Sequence, residues 1–182
     1  MERNHQNLNV MELIQLTSDY EMKPFDCGDA VLNGFLRDEA KLFLENRLAK
    51  TYLLCDDDQI AGYFCLLNDK LSRQEVANHD WRKIKKLFPH AKHFGSYPAV
   101  KLGRFAVSML YRNQGLGSEL MELIKQNLIE DPGYSQFRFL TVDAYLSAVP
   151  FYEQNGFKRL APTQEQGNTQ AMYFDIKSVV EP

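Results

Sequence analysis

A buried strand, a glycine turn and an amphipathic helix follow one another without interruption between residues 105 and 130. They limit the folds open to this chain more than any other stretch. Phe105-Ala106-Val107 is short and apolar, as a strand in a covered sheet should be. Arg112-Asn113-Gln114-Gly115-Leu116-Gly117 is a turn rich in residues that tolerate left-handed backbone. Leu116, Leu120, Leu123, Ile124 and Leu128 then recur at helical spacing until Asp131-Pro132-Gly133 stops the helix. A helix start reached through glycines is a ready anion site. Its first N–H groups have no intrahelical acceptor, its dipole favours negative charge, and glycines admit a close approach. A glycine turn that serves packing alone looks the same, so the remaining chain must decide between the two.

The flanking segments supply the rest of a mixed sheet. Residues 10–17 read as a first strand. Residues 30–48 read as a helix with Leu32, Phe35, Leu36, Ala40, Phe43 and Leu48 on one side and Asp29 as its cap. The runs 51–55 and 60–67, joined by Asp56-Asp57-Asp58-Gln59, form a hairpin. Residues 73–88 predict a helix with Trp81, Ile84, Leu87 and Phe88 inward and Arg82, Lys83, Lys85 and Lys86 outward, ended by Pro89 and Gly95. Strands are expected over 99–108, 137–142, 157–160 and 171–176, and a short helix over 147–155 closed by Gly156. The order β-α-β-β-α-β-α-β-α-β-β, about seven strands and four helices, makes this an α/β chain. Its crossovers require parallel neighbours and its hairpins antiparallel ones. A ligand should enter beside the strand that feeds the glycine loop.

At 182 residues the chain is expected to form a single domain, 1–182, with one sizeable core. The polar start, Met-Glu-Arg-Asn-His-Gln-Asn, and apolar runs too short to span a bilayer predict a soluble, cytoplasmic protein with no membrane partner. Cys27, Cys55 and Cys65 are scattered and show neither zinc spacing nor a Cys-x-x-Cys pair, so no metal is expected. Net charge is −3, yet residues 69–104 hold nine Lys or Arg against three Asp or Glu. His79, His90 and His93 lie in the same segment. Such asymmetry fits an anionic partner bound on one face; a merely solvated helix surface is the alternative.

Four pieces in order resemble the GNAT superfamily of acyl-CoA-dependent N-acetyltransferases. They are Leu102-Gly103-Arg104-Phe105-Ala106-Val107, Arg112-Asn113-Gln114-Gly115-Leu116-Gly117, Phe139-Leu140-Thr141-Val142-Asp143-Ala144, and Phe151-Tyr152-Glu153-Gln154-Asn155-Gly156-Phe157. With Ile60-Ala61-Gly62-Tyr63 the resemblance runs over most of the chain. Phe25-Asp26-Cys27-Gly28-Asp29-Ala30-Val31-Leu32-Asn33-Gly34-Phe35-Leu36 and Thr51-Tyr52 are similar to the branch that contains bacterial toxin–antitoxin acetyltransferases. Those toxins acetylate the amino acid on charged tRNA.

The resemblance implies a GNAT-like fold and acetyl-CoA as co-substrate. Residues 112–117 and Ser118 would hold its pyrophosphate through backbone N–H groups, and the strand Phe105, Ala106, Val107 would pair with the pantetheine arm. A backbone N–H near Val107 would polarise the thioester carbonyl. Tyr152 would protonate the departing thiolate; packing beside Phe151 and Phe157 is its alternative role. Many relatives carry an Asn near the start of the late helix. Here Leu146-Ser147-Ala148 stands there, and Ser147 is the nearest substitute for that cofactor contact.

No general base announces itself. Glu75, His90, His93, Asp143 and Glu153 are candidates, and an α-amino acceptor, with a pKa near 7.7–8.0, needs little help. The expected reaction is acetyl transfer to a primary amine: that of aminoacyl-tRNA, with residues 69–104 lining a tRNA groove, or that of a small molecule or protein. The toxin-like reading adds an antitoxin partner, and the resemblance makes a homodimer unsurprising. A non-catalytic acetyl-CoA- or partner-binding module of the same fold is the alternative class. A P-loop is disfavoured because no Gly-Lys-Ser/Thr follows the glycines.

Overall fold

A computed structural model describes residues 11–88, 94–130, 135–161 and 167–180. The elements run β1 (Glu12–Gln15), α1 (Ala30–Gly34), a π-helical turn (Phe35–Glu39), α2 (Ala40–Glu45), β2 (Lys50–Asp56), β3 (Gln59–Ser72), α3 (Asn78–Lys86) and β4 (Ser96–Val107). They continue through α4 (Leu116–Glu130), β5 (Phe139–Tyr145), α5 (Val149–Gln154), β6 (Lys158–Arg159), β7 (Thr169–Asp175) and α6 (Lys177–Val180). The strands make one mixed seven-stranded sheet in the order β1-β2-β3-β4-β5-β7-β6. Among the described residues, α6 and the division of the helix expected over 30–48 into α1, the π turn and α2 depart from the element order expected from the sequence. The expected stops at Pro89 and at residues 131–133, like the histidines 90 and 93, lie outside the described residues.

Two compact units share the chain. The first takes the chain up to Leu67 together with Leu102–Gln126, and the second takes Asn68–Lys101 with the chain from Asn127 onward. In the first, β1 and β3 flank β2 antiparallel, with Ile14 opposite Leu53 and Leu53 opposite Tyr63. Asp29 caps α1 through Oδ1, which accepts from the N–H groups of Val31 (2.9 Å) and Leu32 (3.0 Å). The π turn puts Phe35 and Leu36 inward, where they pack with Leu16, Ala40, Leu53, Tyr63 and Cys65. The Tyr63 ring stacks on Phe35 at 6.2 Å and its hydroxyl donates to the Leu32 carbonyl at 2.8 Å, so its polar tip is satisfied although the residue is fully buried. All three cysteines are free and buried, as small hydrophobes.

In the second unit β5 is the hub. It pairs parallel with β4 over Ala99↔Phe139, Val100↔Leu140 and Lys101↔Thr141, and antiparallel with β7 along its whole length. The helix expected over 73–88 is shorter in the structure, because Val76 is buried and the Ala77 N–H donates to the Ala161 carbonyl at 2.8 Å. Residues 73–75 make a turn closed by the Glu75 N–H on the Ser72 carbonyl (3.1 Å), and the Ala161 bond keeps Val76 and Ala77 extended until Asn78. Trp81 and Ile84 of α3 then pack with Tyr97, Phe139 and Tyr173 on one face of this sheet. Arg82, Lys83 and Lys86 are exposed, as the sequence spacing predicts.

Candidate active site

The glycine loop is fastened at both ends and open in the middle. After β4 the Ser108 N–H donates to the Ala61 carbonyl (2.9 Å), and the Ser108 hydroxyl accepts from the Leu110 N–H (3.4 Å) to start a single 3-10 turn, Met109–Tyr111. Tyr111 donates its hydroxyl to Asp56 at 2.6 Å, and that bond, with some burial, pushes its pKa up to about 12. Arg112 turns back and donates its guanidinium to the Cys27 carbonyl. The Met109 N–H reaches the Asp26 carbonyl at 2.9 Å. The 24–29 segment is itself drawn tight by the Asp26 carboxylate, which accepts from the Gly28 N–H and from Asn33 Nδ2, each at 2.7 Å. Those two bonds hold the Asp26 carboxyl below its usual range.

Beyond these anchors the chain turns through Asn113 (φ 59°) and Gly115 (φ 85°), both in the left-handed region. Gln114 Nε2 closes the turn on the Leu110 carbonyl at 3.0 Å, and the Gly115 carbonyl accepts from the N–H groups of Ser118 (3.0 Å) and Glu119 (3.2 Å). None of the backbone N–H groups of residues 113–117 finds an acceptor among the described residues. Five consecutive open donors at the head of a fifteen-residue helix form a cradle for an anion. Phe105 and Val107 on β4 are half-buried, while Ala106 between them is buried in the first unit's core. Glu119, which the sequence did not single out, carries a buried Oε2 with no hydrogen-bond partner one turn into α4.

Tyr152 lies in the second unit. Its ring sits edge-on to Phe151 and Phe157, each 5.3 Å away, and only 6% of its surface is exposed. Burial raises its pKa above the ordinary phenol value, so the proton stays on at neutral pH. No described group bonds its hydroxyl. Pro150 occupies the first turn of α5, where its missing N–H costs nothing. Ser147 is exposed in the preceding 3-10 turn, Leu146–Ala148. Of the base candidates, Glu153 is held by Arg159 at 2.7 Å and its pKa is lowered by that contact. Asp143 pairs with Lys101 at 2.5 Å, and Glu75 is exposed.

The described residues contain no group of His, Cys, Asp and Glu able to hold a metal ion, and no helix among them is long and apolar enough to cross a membrane. Residues 30–176 match the family model described as acetyltransferase (GNAT) domain. The chain belongs to the GNAT acetyltransferases. It is therefore an acetyl-CoA-dependent N-acetyltransferase that moves acetyl to a primary amine. This GNAT chain is similar in structure to AtaT complexed with acetyl-methionyl-tRNAfMet, with TM-score 0.71, 27% identity, and coverage of 93% of this chain and 97% of that one. A structure of AtaTR bound with AcCoA matches with TM-score 0.69 and 25% identity over 94% of this chain and 97% of that one. A tyrosine-to-phenylalanine mutant of KacT shares the fold, with TM-score 0.70 and 22% identity over 94% and 98% of the two chains.

Proposed function

We propose that the chain acetylates the α-amino group of aminoacyl-tRNA, using both units as one N-acetyltransferase domain. The observation that carries the cofactor half of this reading is the run of open N–H groups at residues 113–117, which suits a pyrophosphate. The N–H groups of Arg112 and Ser118, expected from the sequence to join this cradle, are instead donated to the Met109 and Gly115 carbonyls (3.4 and 3.0 Å), and Arg112 acts through its side chain by fixing the loop to Cys27. Phe105, Ala106 and Val107 take the pantetheine arm as an added strand, with a backbone N–H near Val107 polarising the thioester carbonyl. Ser147 stands in for the Asn contact of relatives.

Tyr152 is the acid in this reading. A phenol whose pKa lies above that of a thiol in water, about 8.5, is a poor donor to a solvated thiolate. The same desolvation that raises the phenol also raises a thiolate beside it, which brings the two into range. Support for the acceptor comes from similarity to AtaT in complex with acetyl-methionyl-tRNAfMet and from the exposed Arg82, Lys83 and Lys86 on α3. A cognate antitoxin, a homodimer and a cytoplasmic location belong to the same reading.

The test supplies labelled acetyl-CoA with aminoacyl-tRNA, spermidine and a lysine peptide in parallel. Label on aminoacyl-tRNA alone is the expected result. Label on the peptide or spermidine alone would replace the tRNA acceptor with a free amine.

A further inference from the structure

The second unit carries a solvent-open cavity of about 170 Å³. Its polar lining is Asp69, Lys70, Glu75, Lys101, Thr141 and Asp143, and Leu71, Val76 and Leu160 form an apolar wall. Ligand pockets for drug-sized molecules run to roughly 300–1,000 Å³. This cavity is too small for a nucleotide and admits one amine-bearing group. Its polar atoms are fixed by two contacts. Lys101 Nζ meets Asp143 Oδ2 at 2.5 Å, and the Thr141 hydroxyl, on a residue only 5% exposed, donates to Asp69 Oδ2 at 2.5 Å. Each contact uses one carboxylate oxygen and aims the group, leaving the other oxygen of Asp69 and of Asp143 to accept.

The cavity lies at the end of the pairing between β4 and β5. Lys101↔Thr141 is the last pair of the β4–β5 ladder. Residues alternate faces along β5, so Thr141 and Asp143 look to the face that carries α3, while Leu140 and Val142 look to the other with their partners Phe174 and Met172. Phe174 packs on Phe157, and Phe157 on Tyr152. Within this unit the proposed thiolate acid and the carboxylates therefore occupy opposite faces of β5. The exposed cations of α3 are on the carboxylate side.

We infer that this cavity is the acceptor-amine pocket, with Asp69 and Asp143 holding the incoming ammonium and Lys101 and Thr141 acting as positioning residues. The inference rests on the acetyltransferase reading and deepens it. The ammonium gives one proton to Asp143, whose side chain is 42% exposed and passes it to water. The neutral amine nitrogen then forms the C–N bond to the acetyl carbon as the C–S bond breaks. The sulfur takes the Tyr152 proton, the second proton lost from nitrogen leaves through Asp143 to water, and the phenol takes a proton back from solvent. The sum is amide, thiol and one proton released.

The test compares wild type with Asp143→Asn, Asp69→Asn and Lys101→Met, each checked for wild-type melting and CoA binding. With aminoacyl-tRNA, spermidine and a lysine peptide as acceptors, kcat/KM for the amine that wild type uses should fall on the order of 10²-fold in the Asp variants. Lys101→Met should raise KM more than it lowers kcat. Affinity for CoA should not change. Unchanged kcat/KM in both Asp variants would overturn the inference. So would an equal loss in affinity for CoA. If wild type acetylates none of the three amines, the acetyl-transfer reading fails separately. The pocket is then judged by NMR titration with methioninamide, which should perturb the amides of Asp69, Lys101, Thr141 and Asp143. No perturbation there would sink it.

Discussion

Arg112 donates its guanidinium to the main-chain carbonyl of Cys27, eighty-five residues earlier, so the residue that opens the glycine loop is held by the segment that precedes α1. Its charge is spent on fixing the backbone whose open N–H groups make the anion cradle. Arg112→Ala should therefore weaken CoA by about tenfold, the scale of one hydrogen bond to a charged group, through a loosened loop. Arg112→Lys should recover little, because a lysine lacks the planar fork that aims at the carbonyl. Calorimetric titration with CoA checks both, and equal affinity in all three proteins would remove Arg112 from the cradle.

Tyr152 combines a ring wedged between Phe151 and Phe157 with a hydroxyl that no described group bonds. Tyr152→Phe keeps the ring and removes only the proton. Turnover is expected to fall by about 10²–10⁴-fold while CoA affinity and melting temperature stay at wild type. A thiol-release assay beside a melting curve measures both. Wild-type turnover would leave the residue with a packing role only.

What the sequence disclosed was whatever depends on near neighbours. The Asp29 cap, the turn through Asn113 and Gly115 and the burial of Leu116, Leu120 and Ile124 all follow from spacing within one or two turns of chain. Residues 73–77 were misread as helix because they are a turn and then an extended pair, and the bond that holds Ala77 extended comes from Ala161, which no local pattern announces. The π turn at Phe35–Glu39 keeps an apolar spacing close to that of an ordinary helix, and so it left no trace. Asp143 could be weighed as a base, but Asp69, Lys101 and Thr141 gather around it only through strand register. The alternation of Thr141 and Asp143 was the one available hint.

Asp80 offers a check on the second unit that is independent of catalysis. It is 8% exposed, accepts from the Ala161 N–H at 2.9 Å and from Lys83 at 3.0 Å, and has His79 at 3.3 Å. Burial alone would raise its pKa, but the Ala161 and Lys83 bonds and the neighbouring cations outweigh it and hold the carboxyl below the ordinary value. A carboxyl depressed in the folded state stabilises above its unfolded pKa, near 3.9, and that contribution disappears as pH falls through the folded value. Asp80→Asn should cost about 1–3 kcal/mol at pH 7 and flatten the acid limb of the stability curve. Urea melts at pH 7, 4 and 3 test this, and parallel curves for the two proteins would contradict it.

The exposed cations on α3 make the aminoacyl-tRNA reading quantitative. Each phosphate contact made by a cation releases counterions, so log affinity falls linearly with log salt. Arg82 and Lys86 are exposed, whereas Lys83 is engaged with Asp80. If Arg82 and Lys86 each meet a phosphate, Arg82→Ala with Lys86→Ala should lower the magnitude of that slope by about 2. Turnover at saturating aminoacyl-tRNA should be unaffected, because neither side chain lines the amine pocket. Filter binding of aminoacyl-tRNA across a salt series measures the slope. An unchanged slope with unchanged affinity would mean that this surface of α3 is solvated and that the tRNA, if bound, is held elsewhere.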